Sequence, residues 1–300
     1  MIGSRSARLL ASTVGYITAQ LTGNHAGSLR RAHEISGELL SWPALRLFER
    51  GDSAFLPDVV STAVDFLRSC PAEGLGPECI TQLEFLSFFA EHRSEMVSQL
   101  GQDLMVMFFL SGKRDGFFVD IGAGDGLTMS NTYLLEKGLA WRGILAEPNP
   151  VFHASIEAKR GARLEKKAVF STDGQTMRFV VVEGVGEFST LEEFAASDEH
   201  DRRKCTLIDV ESTTIGRLLE EHGAPTEIDY ISIDTEGSEY EILKCLDFER
   251  YHVSIFSIEH NFVLPKQRMT NDLLSRQGYV QVFPLISKWD GWYIKRPLLA

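Results

Sequence analysis

Two regimes of hydrophobic spacing meet near Ser98. Before it, apolar residues recur at helical intervals. Leu56, Val59, Val60, Val64 and Leu67 fall on one helical face, with Pro57 tolerated in the first turn. Ile80, Leu83, Leu86 and Phe89 make a second face, widened by Phe85 and Phe88, which predicts a well-buried helix. Residues 26–40 are a third candidate, which Trp42-Pro43 should end. Residues 1–95 are therefore expected to be a helical segment, and residues 96–300 a separate domain.

After about Gly116 the pattern alternates. Apolar runs predict strands over 117–121, 143–146, 162–170, 177–182, 228–233 and 252–258. Helical spacing predicts helices over 130–137, 152–160, 213–221, 238–246 and 268–277. Residues 279–283 and 291–295 can pair as a closing hairpin. This is an α/β pattern: an open, mostly parallel sheet with helices on both faces and an antiparallel hairpin at one edge. Residues 195–205 are polar and charged, and read either as a solvated loop or as a lid near a site.

In such sheets, ligands bind beyond the carboxyl ends of the strands, where the unusual residues of this chain cluster. Asp120 closes the first strand, and Gly122, Gly124 and Gly126 follow before a predicted helix. Glycines allow a tight turn and close approach of the backbone to a ligand, and a helix N-terminus offers free N–H groups to an anion. A dinucleotide would place its pyrophosphate there, which a carboxylate at Asp120 would repel. The same carboxylate suits the α-ammonium of a methionine moiety, so the loop favours S-adenosylmethionine over NAD. Glu147 ends the second strand, where an acid can accept hydrogen bonds from ribose hydroxyls. The bland alternative is a plain tight turn.

The later strands repeat the arrangement. Asp234 ends one, and Glu236 and Glu239 open the next helix. Helix capping accounts best for Glu239, whereas Asp234 is placed to face the methyl group or the substrate. Glu259, His260 and Asn261 end the following strand. His260 is a candidate general base, with a hydrogen-bonded structural histidine as the alternative. Asp234, Glu259 and His260, with Asn261, offer the donor types of a divalent-cation site that would lower the pKa of a substrate hydroxyl.

Composition narrows the field. A net charge of −12 lacks the basic footprint of a general nucleic-acid binder, and 44% hydrophobic residues suit a protein with a buried core. Cys70, Cys79, Cys205 and Cys245 have neither zinc nor redox-motif spacing and read as thiols in a reducing compartment. No stretch approaches the roughly 20 apolar residues of a membrane span. Residues 9–19 are too polar for the core of a signal peptide, so a cytoplasmic location is expected.

Taken together, several segments resemble the FkbM family of methyltransferases. They are Ser98-Gln-Leu-Gly-Gln-Asp103, residues 116–126, Ser130-Asn-Thr-Tyr-Leu-Leu-Glu-Lys137, Gly143-Ile-Leu-Ala-Glu-Pro-Asn149, residues 228–239 and Ile258-Glu-His-Asn261. The resemblance spans about residues 96–296. It implies a class I methyltransferase fold and, mostly, O-methylation of hydroxyls on sugars, glycolipids or secondary metabolites. By position it assigns Asp120, Gly122, Gly124 and Glu147 to the cofactor, places Gln99 and Asp103 near the loop, and sets Ala168 against the adenine. The catalytic candidates are His260, Asp234 and Glu236. Residues 1–95 lie outside the resemblance, and are expected to cap the substrate cleft or form a homodimer. Methylation at nitrogen or carbon, a dinucleotide oxidoreductase and a non-catalytic binding protein are the competing readings.

Overall fold

The computed structural model describes residues 77–198, 200–284 and 286–299. The helices predicted over 26–40 and 56–67, residues 9–19 and Cys70 lie outside them. The chain divides into two compact units, Met1–Arg93 and Ser94–Ala300. Of the first unit, helix α1 (Pro77–His92) is observed where the second apolar face was predicted, with Phe85 buried and set edge-on to Phe89. Among the described residues, no helix is long and apolar enough to cross a membrane.

The second unit opens with α2 (Gln102–Phe109), a short helix buried on nearly every side. The main elements follow: β1 (Phe117–Ile121), α3 (Tyr133–Leu139), β2 (Arg142–Ala146), α4 (Pro150–Lys159), then five strands, β3 (Arg163–Glu165), β4 (Ala168–Phe170), β5 (Thr176–Val182), β6 (Thr190–Leu191) and β7 (Cys205–Thr214). Then come α5 (Ile215–Glu221), β8 (Glu227–Ile233), α6 (Glu239–Leu243), β9 (His252–Glu259), α7 (Leu264–Arg276), β10 (Tyr279–Val282) and β11 (Asp290–Lys295). The main sheet has the order β3-β2-β1-β8-β9-β11-β10. Neighbours from β3 to β9 run parallel, while β11 is antiparallel to both β9 and β10. The predicted closing hairpin therefore forms one edge. Ile228, Ile231, Ile233, Val253, Phe256 and Ile258 are essentially inaccessible, as expected for strands covered on both faces.

Two expectations needed correction. The single strand predicted over 162–170 is two strands in two sheets. Glu165 Oε1 accepts from the amides of Lys166 and Lys167, at 2.9 and 3.0 Å, and the chain breaks there. Its second half, β4, pairs with β7 in a smaller sheet of order β4-β7-β5-β6, whose core is Phe170, Phe179, Leu191 and Val210. Most of β7 was not predicted, because one face is exposed and it lacks a continuous apolar run. The helix after it starts at Ile215, where Thr214 Oγ1 accepts from the Arg217 amide.

β1 lies at the switch point, with β2 on one side and β8 on the other. Register sets Ile121 level with Ala146 and with Ile233, and Ile233 level with Ile258. The residues immediately after this row are Gly122, Glu147, Asp234 and Glu259, so all four emerge at one carboxyl edge. Gly122 has φ +87°, and a methyl group on it would lie 1.6 Å from the Asp234 carbonyl oxygen. Gly122→Ala is expected to destabilise the protein by about 3 kcal/mol or more, as overpacking against main chain cannot relax through a rotamer. Chemical denaturation measures this; a change below about 1 kcal/mol would mean that the two strand ends are not in contact.

Candidate active site

The four strand ends open into a cavity of about 880 Å³ within the second unit. On its first side, Asp120 is 3% exposed and accepts from Thr132 Oγ1 at 2.7 Å. Burial raises its pKa, against the Thr132 hydrogen bond and the nearby Arg160 guanidinium. The glycine loop does not run directly into a helix, as the sequence suggested, since α3 begins only at Tyr133. Asp125 Oδ1 accepts from the amides of Leu127 and Thr128, and Gly126 and Met129 have positive φ, so the backbone turns rather than coils. Loop amides and the side chains of Ser130 and Asn131 take the place of a helix end at the cavity.

Glu147 accepts from the Gly124 amide at Oε2 and from the Asn149 amide at Oε1, both at 2.8 Å. Burial pushes its pKa up to about 8, despite these two bonds. Ala168 also lines the cavity, on the wall shared with Val169, Phe179 and Leu191. Gln99 reaches it too. Asp103 does not line it: it is fully buried and accepts from the Val97 and Ser98 amides and from Ser98 Oγ, closing the turn before α2. Its neighbour Gln102, which sequence reasoning passed over, lines the cavity and donates to Asp290 at 2.7 Å.

On the other side, Glu239, expected to cap a helix, is the first residue of α6 and turns back to close the loop before it, with Oε1 accepting from the Gly237 amide at 2.7 Å and the Thr235 amide at 3.2 Å; α6 has no side-chain cap. Asp234, Glu236 and Glu259 line the cavity, and their carboxylate oxygens lie within 4.8 Å of one another. Burial raises all three, aided by their mutual repulsion: Asp234 to about 8, Glu236 to about 9, and Glu259 well above its usual range. Glu236, Asn261 and Phe262 are non-glycine residues with φ of +58°, +47° and +56°, a concentration of strained backbone at one end of the cavity.

His260 is not brought into this group. Its ring is 5% exposed, does not line the cavity, and accepts at Nδ1 from the Phe262 amide at 3.1 Å. Burial lowers its pKa. The left-handed turn at Asn261 and Phe262 carries the chain away just where an extended strand would have presented the ring. The cavity's histidine is His200, stacked on Phe188 and 3.4 Å from Glu236 Oε2. It belongs to the polar segment 195–205, which also contributes Asp198 to the cavity wall and the buried Arg202. That segment is therefore part of the site wall rather than a solvated loop.

The divalent-cation set Asp234, Glu259 and His260 is not assembled. Asp234, Glu236 and Glu259 are close, as are Asp198, His200 and Glu236. Yet Arg202 donates to both Asp198 oxygens, at 2.6 and 2.8 Å, and lies 3.3 Å from Glu236 Oε2. Asn261 Nδ2 donates to Glu259 Oε2 at 2.8 Å. A fixed guanidinium charge thus already pairs with Asp198 and Glu236, two of the three members of the second set.

The parallel strands around a switch point, a glycine loop preceded by a buried acid, and a second acid after β2 define a class I methyltransferase fold. The profile of the methyltransferase FkbM domain matches residues 120–280, and the chain belongs to that family. This sets aside the dinucleotide oxidoreductase reading. Comparison with curated proteins gave no match. Among solved structures, the chain is similar to precorrin-6y C5,15-methyltransferase from Geobacter metallireducens GS-15, with 13% identity over 66% of this chain and 88% of that one, TM-score 0.36. It is also similar to methyltransferase FkbM from Methylobacillus flagellatus KT, with 18% identity over 80% of this chain and 60% of that one, TM-score 0.39.

The raised carboxyls make stability depend on pH. Glu147 and Asp234 near 8 and Glu236 near 9 keep protons in the folded state that the unfolded chain releases above its ordinary carboxylate range. Their stabilising effect is complete below about pH 4 and is lost as pH rises through the folded values. The melting temperature of the ligand-free protein is expected to fall steadily between about pH 5 and 9. A flat or rising profile in differential scanning fluorimetry would contradict the burial of these groups.

Proposed function

We propose that the protein transfers a methyl group from S-adenosylmethionine to a hydroxyl of a sugar, glycolipid or secondary metabolite, with Glu236 taking the proton. The observation that carries this reading is the pairing, across one cavity, of a cofactor-type loop with a cluster of carboxylates. Asp120, Glu147, Glu187, Asp198, Asp234, Glu236 and Glu259 line the cavity, and among the described residues no lysine or arginine does. Such a lining repels a pyrophosphate and suits a cation.

The chain's groups suit the cofactor in detail. Asn131 Oδ1 is a buried acceptor without a hydrogen-bond partner, while its Nδ2 donates to Ser232 Oγ at 2.9 Å. Together with Asp120 it would receive the α-ammonium, and the loop amides and Gln99 would meet the carboxylate. Each Glu147 oxygen accepts one main-chain N–H and keeps a lone pair for a ribose hydroxyl. Ala168, with Val169 and Leu191, would flank the adenine. When bound, S-adenosylmethionine supplies a methyl group on a positively charged sulfonium.

Of the clustered carboxylates, Glu236 is best arranged to accept a proton once the positive sulfonium of the bound cofactor and the Arg202 guanidinium favour its ionised form. Its Oε2 faces Arg202, His200 and Asn261, at 3.3, 3.4 and 3.4 Å. Its Oε1 makes no hydrogen bond to the described residues and is left for an acceptor hydroxyl. The carboxylate oxygens of Asp234 and Glu259 lie within 4.8 Å of one another, and burial and then the Asp234 charge raise the Glu259 pKa, which favours a proton on one of them. The remaining task of the protein is alignment of the oxygen behind the methyl carbon. Phe262, Val263 and Trp289 give the cavity an apolar flank against which an acceptor can rest.

Formation of S-adenosylhomocysteine across a panel of sugar and phenol acceptors tests the reaction; a product methylated on nitrogen or carbon would overturn the hydroxyl assignment. Glu147→Ala is expected to weaken S-adenosylhomocysteine binding about 10- to 100-fold by calorimetry, the loss of two hydrogen bonds to the ribose hydroxyls. Unchanged affinity would misplace the ribose. The sulfonium favours ionised carboxylates, so S-adenosylmethionine affinity should rise from pH 6 to 9 by up to about tenfold per pH unit. S-adenosylhomocysteine, which lacks the sulfonium charge, should respond less, and equal slopes would remove the electrostatic argument. Chelators should leave turnover intact; loss of activity restored by a divalent ion would reinstate the metal site.

A further inference from the structure

Arg202 lies outside the segments that carry the resemblance in sequence, yet it is among the most enclosed charges in the second unit, its side chain 5% exposed. It donates from Nε to the Phe188 carbonyl at 2.7 Å and from one terminal nitrogen to the Ala195 carbonyl at 3.3 Å. Its two terminal nitrogens take the two oxygens of Asp198 as a fork. The remaining contact is to Glu236 Oε2 at 3.3 Å. One side chain thus joins the turn at 186–188, the turn at 192–195 and the cavity carboxylate on the β8–α6 loop.

We propose that Arg202 is a positioning residue for methyl transfer: it holds Oε2 of Glu236 and leaves Oε1 free for the acceptor hydroxyl. The geometry has a reason in the backbone. Glu236 sits at φ +58°, a conformation that a glutamate adopts only when neighbours enforce it. Its main chain is fixed by Thr190 Oγ1 and Ser197 Oγ, which donate to the Glu236 carbonyl at 3.1 and 3.3 Å. Its side chain is fixed by Arg202 and Asn261. Asp198 locks the guanidinium plane, so the charge cannot turn away. The groups facing Glu236 are Asp234 before it on the loop, Glu239 on α6, Glu259 and Asn261 at the end of β9, and Asp198, His200 and Arg202 on the segment before β7. Arg202 is the permanent cation among them. Removing it should raise the Glu236 midpoint further, whereas removing Asp198 should lower it.

The proposal rests on Glu236 as the proton acceptor, and its test is independent of the unidentified substrate. The full-length protein is labelled with [5-13C]glutamate, saturated with S-adenosylhomocysteine, and titrated by carbon NMR. The Glu236 signal is assigned by its loss in Glu236→Gln. Arg202→Gln is expected to raise the Glu236 midpoint by about one pH unit or more, Arg202→Lys to keep it near wild type, and Asp198→Asn to lower it. S-adenosylhomocysteine affinity should stay within about twofold in all three, since the cofactor residues are untouched. An unchanged midpoint in Arg202→Gln overturns the proposal, as does a loss of cofactor affinity matching the shift, which would make Arg202 a general clamp of the fold. Should Arg202→Gln fail to fold, an unmoved midpoint in Asp198→Asn, or one displaced in Arg202→Lys, overturns it. Failure of the wild type to bind S-adenosylhomocysteine is a separate outcome that sinks the methyl-transfer reading itself.

Discussion

The site depends on a contact too close for any side chain. At Gly122 the backbone turns left-handed against the Asp234 carbonyl, and the Asp234 amide donates to the Ile121 carbonyl at 2.9 Å. This joins the loop after β1 to the loop after β8, although they are more than a hundred residues apart in the chain. Because parallel register has already levelled the strand ends, the joint places a cofactor-type loop and an acid cluster on one cavity. The loop is pinned from behind as well. Arg160, buried beneath it, donates to the Gly126 carbonyl, Ser130 Oγ and Thr132 Oγ1, and Thr132 in turn donates to Asp120. The loop's shape is thus set by partners on both sides rather than by a helix end.

That arrangement concentrates negative charge, which costs stability. Carboxylates a few ångströms apart in a partly dry cavity cannot all be ionised. The structure offsets the charge in three ways. Protons stay on Glu147, Asp234 and Glu236 to unusually high pH. Arg202 supplies a fixed counter-charge on the acceptor side. A cationic ligand would supply the rest. Sites built for binding commonly trade stability in this direction, since charges left partly uncompensated in the free protein are available to the ligand. The strained backbone at Glu236, Asn261 and Phe262 belongs to the same trade.

Much of this was legible in the residues. Glycines after the apolar run that holds Asp120, and Glu147 one strand later, follow from apolar runs that break at an acid. Strand ends at Asp234 and Glu259 followed in the same way. What the pattern did not carry was direction and distance. His260 follows a strand end as Glu147 does, but the turn at Asn261 and Phe262 buries its ring away from the cavity. Asp198, His200 and Arg202 stand in a polar stretch indistinguishable from a solvated loop, because their partner Glu236 lies 34 residues beyond Arg202. β7 was largely missed, since a strand with one open face in a small second sheet needs no continuous apolar run.

By itself, then, the chain determined where most strands end, which end residues carry charge, and that an acid stands before a glycine loop. These are local properties, set by side-chain periodicity and by the conformations glycine allows. The tertiary structure decided which of those charges meet, which proton positions they share, and which residue from a distant polar segment holds them. Those depend on parallel register, on left-handed turns after the strands, and on desolvation in a common cavity, all of which arise only when the separate elements pack.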